Sequence, residues 1–578
     1  MTQQTGATTR RLRRRGLTTA VVAGLAATGL ILTGCSAPEA SGDAPSFDFT
    51  GKDVGAMKEF GVGDTFKATE PVTFGLFYRD HEAYPLQEDW PILTALKKNQ
   101  DVSFDVESAP RVGYEDARSA AIASGNAPDI ISITYPGQET PFVSGGAILP
   151  VSDFVQYMPN FEDKVEKWGL QADVDNLRQA DGKFYILPGV SEIVVPQYSY
   201  VVRKDIWDEL GLSYEPKTFD DFQKDLAKVH KAYPDKMVIS DEFNDPDPLG
   251  GALNFAAPNF GTTAGWGLSA GSGAWWDGKK FVYAAAQDEY KDLVSYYHGL
   301  VEDGLLDPAS VTQSDDEAKA HFFNGDSLVI SGNDQFLSQA RNSFSEVGNT
   351  DAEVALIRVP GGPAGDNLAA GGRVDGLPGL MISSKAADKE NFKALLQFVD
   401  WLYYSDEGLE FAKWGVEGEQ FTKKGDVRTF TADWDRSKGL LNPGATKLLN
   451  VDGGFANGVW MAAEGGTEDL RTSMMLPETK DFVSSMLTKT QLATAPAAPL
   501  NELENEQAGL WKTALLDLVR QNTAKFITGD RSLDEWDDYV GELEAANMDE
   551  YIDMINGAYE RQQESMKAAA EEAKADKK

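Results

Sequence analysis

Between residues 72 and 133 the chain alternates strand and helix signals with short connections, and few folds accept that rhythm. Val72-Thr73-Phe74-Gly75-Leu76-Phe77 reads as a buried strand, residues 90–98 as a helix and 102–106 as an alternating strand. Residues 114–124 then read as a helix and 129–133 as another apolar strand. Parallel strands need crossovers that bury both faces of their sheet, so β-α-β-α-β predicts an open, mostly parallel sheet between helices. Ligands of such sheets bind beyond the carboxyl ends of the strands. Those ends are Tyr78-Arg79-Asp80-His81 and Tyr135-Pro136-Gly137-Gln138.

A second αβ region spans residues 198–348, followed by a strand at 380–382, a helix at 391–404 and a long, mostly helical C-terminal part. A chain of 578 residues exceeds what one core can fill, so two or more lobes are expected. Asp181-Gly182 and Asp277-Gly278 mark tight turns between apolar stretches.

The only cysteine, Cys35, follows an arginine-rich start (RRLRRR, residues 10–15) and 16 uncharged residues at 17–32. That run is short for a spanning helix, which needs about 20 residues, and its layout is that of an export signal. Leu32-Thr33-Gly34-Cys35 resembles the lipobox of bacterial lipoproteins, which makes residues 1–34 a signal peptide and Cys35 the site of a diacylglyceryl anchor. Arg14-Arg15 also fits a twin-arginine signal, so both export routes stay open. Residues 35–67 read as a flexible tether, and 546–578 as a C-terminal helix and charged tail.

A net charge of −38 makes nucleic acid and anionic membrane surfaces poor partners. His81, His230, His298 and His321 lack zinc-site spacing, and no metal or cofactor is expected. Gly267-Leu268-Ser269-Ala270-Gly271 matches the hydrolase GxSxG pattern, but hairpin sequence follows where a helix is required. The stretch 273–280 places Lys280 where a phosphate loop needs a hydroxyl. Asn244-Asp245-Pro246-Asp247 lacks the twelfth-position glutamate of a calcium loop. A paired-carboxylate glycosidase leaves no local signature, so a surface-anchored carbohydrate-active enzyme stays open as the enzyme alternative.

Several stretches, in order, resemble one family. They include Ala123-Ser124-Gly125-Asn126-Ala127-Pro128-Asp129-Ile130-Ile131, Gly146-Ala147-Ile148-Leu149-Pro150 and Arg203-Lys204-Asp205-Ile206-Trp207-Asp208-Glu209-Leu210-Gly211-Leu212. Phe323-Asn324-Gly325, Asp400-Trp401-Leu402-Tyr403-Tyr404 and Gly415-Val416-Glu417-Gly418-Glu419 follow, then Ile527-Thr528-Gly529 and Trp536-Asp537-Asp538-Tyr539-Val540. Together they resemble the extracellular solute-binding lipoproteins of bacterial ABC importers, in the larger oligosaccharide- and alginate-binding subgroup. The resemblance implies an α/β fold of the two-lobe periplasmic-binding-protein type (type II), with the ligand cleft between lobes. Lobe 1 would comprise residues 68–195 and about 355–428, and lobe 2 residues 196–354 and about 429–545. It also implies a monomer held by lipid on the extracytoplasmic face of the membrane, with a Gram-positive surface as the expected setting. An oligosaccharide ligand and ABC permease subunits would be its partners. A peptide receptor is the alternative within binding proteins. The subgroup's calcium loop is not recognisable.

Sugars present apolar C–H faces ringed by hydroxyls, so a sugar cleft needs aromatic platforms and polar side chains. Candidate polar ligands are Arg79, Asp80, His81 and Gln138 at strand ends, with Tyr135, then Asn333 and Gln335 after the strand at 327–330. Arg373 lies in a glycine-rich crossing segment, and family analogy adds Glu417. Trp266, Trp414 and Trp460 are flanked by glycine or loop sequence and are the candidate platforms, whereas Trp401 reads as core.

Overall fold

The computed structural model describes residues 47–244, 246–369, 371–374, 378–437, 440–461 and 465–575. The signal segment, Cys35 and Asp245 lie outside the described residues. Two four-stranded sheets organise the molecule. Their strands are β1 (Val72–Asp80), β2 (Val102–Pro110), β3 (Ile130–Thr134), β4 (Ser199–Arg203), β5 (Met237–Ser240), β6 (Ser327–Gly332), β7 (Val354–Leu356) and β8 (Gly379–Ile382). The helices that matter here are α1 (Tyr114–Ala123), α2 (Gly250–Phe260), α3 (Asp334–Glu346), α4 (Phe392–Tyr404), α5 (Glu502–Thr528) and α6 (Met548–Ala575).

In the first sheet β1 pairs in parallel with β2 and β3, as the alternation predicts, and β8 adds an antiparallel edge to β3. Phe74, Leu76, Phe77 and Tyr78 bury β1 on both faces. Gly75 interrupts them for a reason. A Cβ there would lie 3.1 Å from both the Asp129 backbone nitrogen and Pro128, and the Gly75 N–H donates to the Asp129 carboxylate at 2.8 Å. That contact fixes the turn leading into β3. The second sheet runs β5-β6-β4-β7, with β5 and β6 parallel and β4 antiparallel to both its neighbours.

Each sheet has its own core. Phe74, Ile131, Met381 and most of α4 belong to the first, and Val201, Ile239, Val329 and Leu253 to the second. Helix α4 is apolar nearly all round because it is enclosed, with every residue but Lys393 buried.

Among the described residues the chain crosses between the cores three times, between Val190 and Tyr200, Val359 and Val374, and Met474 and Phe482. These crossings depart from the boundaries expected near 355 and 429. Leu356, Ile357 and Val359 remain in the second core, while Phe430, Trp434, Leu449 and Phe455 still pack in the first. The described part of the expected tether also departs from expectation. Phe66 is buried, and Phe47 packs on Phe154 with ring centroids 5.2 Å apart, because aromatic residues in this stretch offer apolar area that the first core covers. At the other end Met548, Tyr551 and Ile555 dock the first turns of α6 on the second core. No helix among the described residues is long and apolar enough to cross a membrane.

Candidate functional site

The ends of β1 and β3 face the second lobe. After β1 the chain makes a tight turn in which His81 bridges to Tyr84 and their rings stack, with centroids 4.2 Å apart and planes within 11°. Burial lowers the imidazole pKa, favouring the neutral ring. Asp80 accepts the Leu86 N–H at 2.8 Å and so holds the turn. Arg79 is half-buried beside it, and its guanidinium has no hydrogen bond or carboxylate partner among the described residues. Beyond β3, Tyr135 is exposed, and the Gln138 side-chain oxygen accepts from the Tyr135 N–H at 3.1 Å and from buried Arg118 at 3.0 Å. Gln138 is therefore a brace for the Tyr135 turn.

Across the cleft, Tyr198, Trp266 and Phe243 form an edge-to-face aromatic trio with centroids 5.0 to 5.8 Å apart. Asn333 caps α3, its side-chain oxygen accepting the Phe336 N–H at 3.0 Å. Tyr135 of the first lobe is close enough to Tyr198 to act on its titration. Gly250 lets this wall form, since a Cβ there would meet the Phe243 carbonyl oxygen at 2.2 Å.

Behind the trio lie two buried acids at the end of β5. Asp241 accepts the N–H groups of Gly251 and Ala252 at the start of α2, at 3.3 and 3.2 Å, and burial pushes its pKa up to about 6. Glu242 has Lys319 at 3.5 Å, yet burial pushes its pKa from 4.5 up to about 8. The folded state therefore holds that proton more tightly than the unfolded chain. The resulting stability is present below pH 4.5 and is lost as the pH rises to about 8. Glu242→Gln is expected to flatten the decline in melting temperature across that window. An unchanged slope in the variant would remove Glu242 as its source.

Two cavities lie between the lobes, and none of the three rings is among their lining residues. The first, of about 520 Å³, lies between the His81–Tyr84 turn and α3. Asp334, Gln335, Ser338, Gln339, Asn342 and Glu346 give it a ladder of carboxylates, amides and hydroxyls along one helix face. Arg436 closes it from the first lobe, 3.7 Å from Asp334. The turn carrying Arg436 is pinned by buried Asp435, whose carboxylate accepts N–H groups of Arg436, Leu440, Leu441 and Asn442. The second cavity, of about 1170 Å³, lies between residues 136–144 and 176–181 of the first lobe and the start of α5 with Tyr551 and Ile555 of the second.

His81 and Gln335 line the first cavity, and Tyr135 and Asn333 directly precede lining residues of the two cavities. Four other expected residues are placed differently. Trp414 is buried, 4.6 Å from the Phe430 ring, and donates to Ser473 at 2.9 Å. Trp460 is buried against Tyr78 and Phe104. Their neighbouring glycines mark close packing, since a Cβ on Gly415 would meet Gln420 at 2.8 Å and one on Gly458 would meet Ile133 at 3.3 Å. Arg373 donates to the carbonyls of Trp168 at 2.6 Å and Ser191 at 3.4 Å, and so braces the first lobe. Glu417 is exposed at a turn and lines neither cavity. Apart from Gln335, the α3 ladder was missed, as were Arg436, Tyr198 and Glu242. The ladder had a signal, because polar residues at 334, 338, 342 and 346 share a face opposite Phe336, Leu337, Ala340 and Phe344.

Residues 84–408, more than half the chain, match the family described as bacterial extracellular solute-binding protein. The chain belongs to that family. This solute-binding protein is 23% identical over 482 residues to the polygalacturonan/rhamnogalacturonan-binding protein YtcQ of Bacillus subtilis, covering 81% of this chain and 87% of YtcQ. It is also 23% identical over 508 residues to FusA of Streptococcus pneumoniae, a fructooligosaccharide ABC transporter substrate-binding protein, covering 82% and 87% of the two chains. Among solved structures, the alginate-binding protein AlgQ2 without calcium superposes with a TM-score of 0.64 at 17% identity, over 86% of this chain and 99% of AlgQ2. FusA in complex with kestose gives 0.62 at 18% identity, over 86% and 100%. The solute-binding protein thus has the two-lobe, type II α/β fold.

Proposed function

We propose that this solute-binding protein captures an oligosaccharide outside the membrane, closes its lobes on it and delivers it intact to the permease of an ABC importer. It works as a monomer tethered through a lipid on Cys35. The observation that carries the sugar reading is the pairing across one cleft of the α3 ladder with stacked His81 and Tyr84, beside the Tyr198–Trp266–Phe243 trio. Amides, hydroxyls and carboxylates meet ring hydroxyls, and aromatic faces or edges cover the C–H surfaces. Contacts to both lobes favour the closed arrangement, which is how a ligand biases a hinge. The carbohydrate ligands in the names of YtcQ and FusA support the same class.

A glycan array probed with the chain from Ser36 onward, followed by calorimetry, is expected to find oligosaccharide ligands. Mass spectrometry of the bound sugar should then recover it uncleaved. Binding to peptides alone would replace the ligand class, and shortened products would replace capture by catalysis. Cys35→Ala in the full chain is expected to abolish lipid labelling, and retained labelling would remove the anchor.

A further inference from the structure

The second cavity differs in chemistry from the first. Its walls include Pro141, Val143, Leu177, Leu500 and Ile555. Most of its carboxylates are already engaged. Glu139 accepts from the Gly137 N–H and the Gln179 amide, both at 2.8 Å. Asp181 accepts from the Tyr185 hydroxyl at 2.6 Å and the Lys183 N–H at 3.0 Å, and Glu502 from the Ser144 hydroxyl at 3.2 Å. Glu506 is left exposed at the rim, where water screens it. Arg178 is satisfied by Asp175 at 2.8 Å and by the Gly182 carbonyl.

Lys512 is the exception. Among the described residues its ammonium has no hydrogen bond and no carboxylate within 4.0 Å, and it lies over the Tyr551 ring, 6.0 Å from Nζ to centroid. Burial lowers its pKa, and among the described residues no neighbouring charge acts to restore it. In a chain with 91 acidic and 53 basic side chains, a half-buried cation without an acid is a site waiting for one.

We propose that this cavity is an anion subsite of the interlobe cleft, which takes a carboxylate carried by the ligand, with Lys512 as its charge partner and the apolar walls covering the group that bears it. The assignment rests on the oligosaccharide reading above. A carboxylate can reach the cavity on a uronic-acid ring or as an acidic substituent on a neutral sugar. The test therefore measures calorimetric affinity for three probes of equal length: tetragalacturonate, a neutral galactotetraose and the same galactotetraose bearing one succinyl group.

At least one acidic probe is expected to bind tenfold or more tightly than the neutral one, and which of them does so names the source. Lys512→Gln should erase that preference while leaving neutral binding unchanged, and Lys512→Arg should keep it. A melting temperature for each variant separates loss of recognition from loss of fold. Equal affinity for acidic and neutral probes, or a preference that survives Lys512→Gln, overturns the anion subsite while leaving sugar capture standing. Failure of the wild-type protein to bind any glycan, on the array or among these probes, overturns the oligosaccharide reading and the subsite with it.

Discussion

Trp414→Ala is expected to lower stability by about 3 to 5 kcal/mol, the range for emptying a buried tryptophan site. The ring is 1% exposed, packs on Phe421 and Phe430, and holds Ser473 through its indole N–H. Its loss leaves a cavity under the Phe421–Lys424 and Val427–Phe430 hairpin and removes one of the two hydrogen bonds of the Ser473 hydroxyl, which keeps its bond to the Leu470 carbonyl. Against a net stability on the order of 5 to 15 kcal/mol, that is a large share. A denaturant series should show the shifted midpoint, with ligand affinity preserved under conditions where the variant remains folded. A variant that melts like the wild type yet no longer binds would return Trp414 to the cleft.

The second large effect has the opposite signature. Trp266 is part-buried and touches Tyr198 and Phe243 edge-on, and the proposed function makes it a platform for the sugar. Trp266→Ala is expected to cost about 2 kcal/mol or more of binding, roughly thirtyfold in affinity, because an aromatic platform at the centre of a site behaves as a hot spot. Its melting temperature should fall less than that of Trp414→Ala, since the side chain is less enclosed. Calorimetry and thermal melts on the two variants, run together, separate the roles. Unchanged affinity in Trp266→Ala would exclude it as a platform.

The contrast between these tryptophans shows what the sequence could and could not reveal. Both have closely packed glycine neighbours, a Cβ on Gly265 meeting the Gly250 carbonyl oxygen at 2.1 Å and one on Gly415 meeting Gln420 at 2.8 Å, so the glycines do not distinguish a part-buried ring from a core one. Only tertiary packing tells the two apart. The first sheet was legible because its strands and helices carry different periods, although β1 runs on past its apolar residues through Arg79 and Asp80. The lobe boundaries were not. Phe430, Trp434 and Leu449 would satisfy either core, and nothing local says which is nearer. At the site, Tyr135 and His81 followed from strand ends. The isolation of Lys512 depends on which carboxylates are already engaged in three dimensions, and no single stretch of sequence records that.

The three crossings between cores govern how the protein can be made. The first sheet receives β8 only when residues 379–382 arrive, and the first core still waits for Trp460 and Met474. The second core is incomplete until Tyr551 and Ile555 have joined it. Neither lobe can therefore mature on a nascent chain that is still emerging, and each must hold open sheet edges and uncovered apolar surface through most of synthesis. Truncation at any crossing should yield an aggregating fragment and not a smaller working lobe, and folding is postponed until nearly the whole polypeptide is free to collapse.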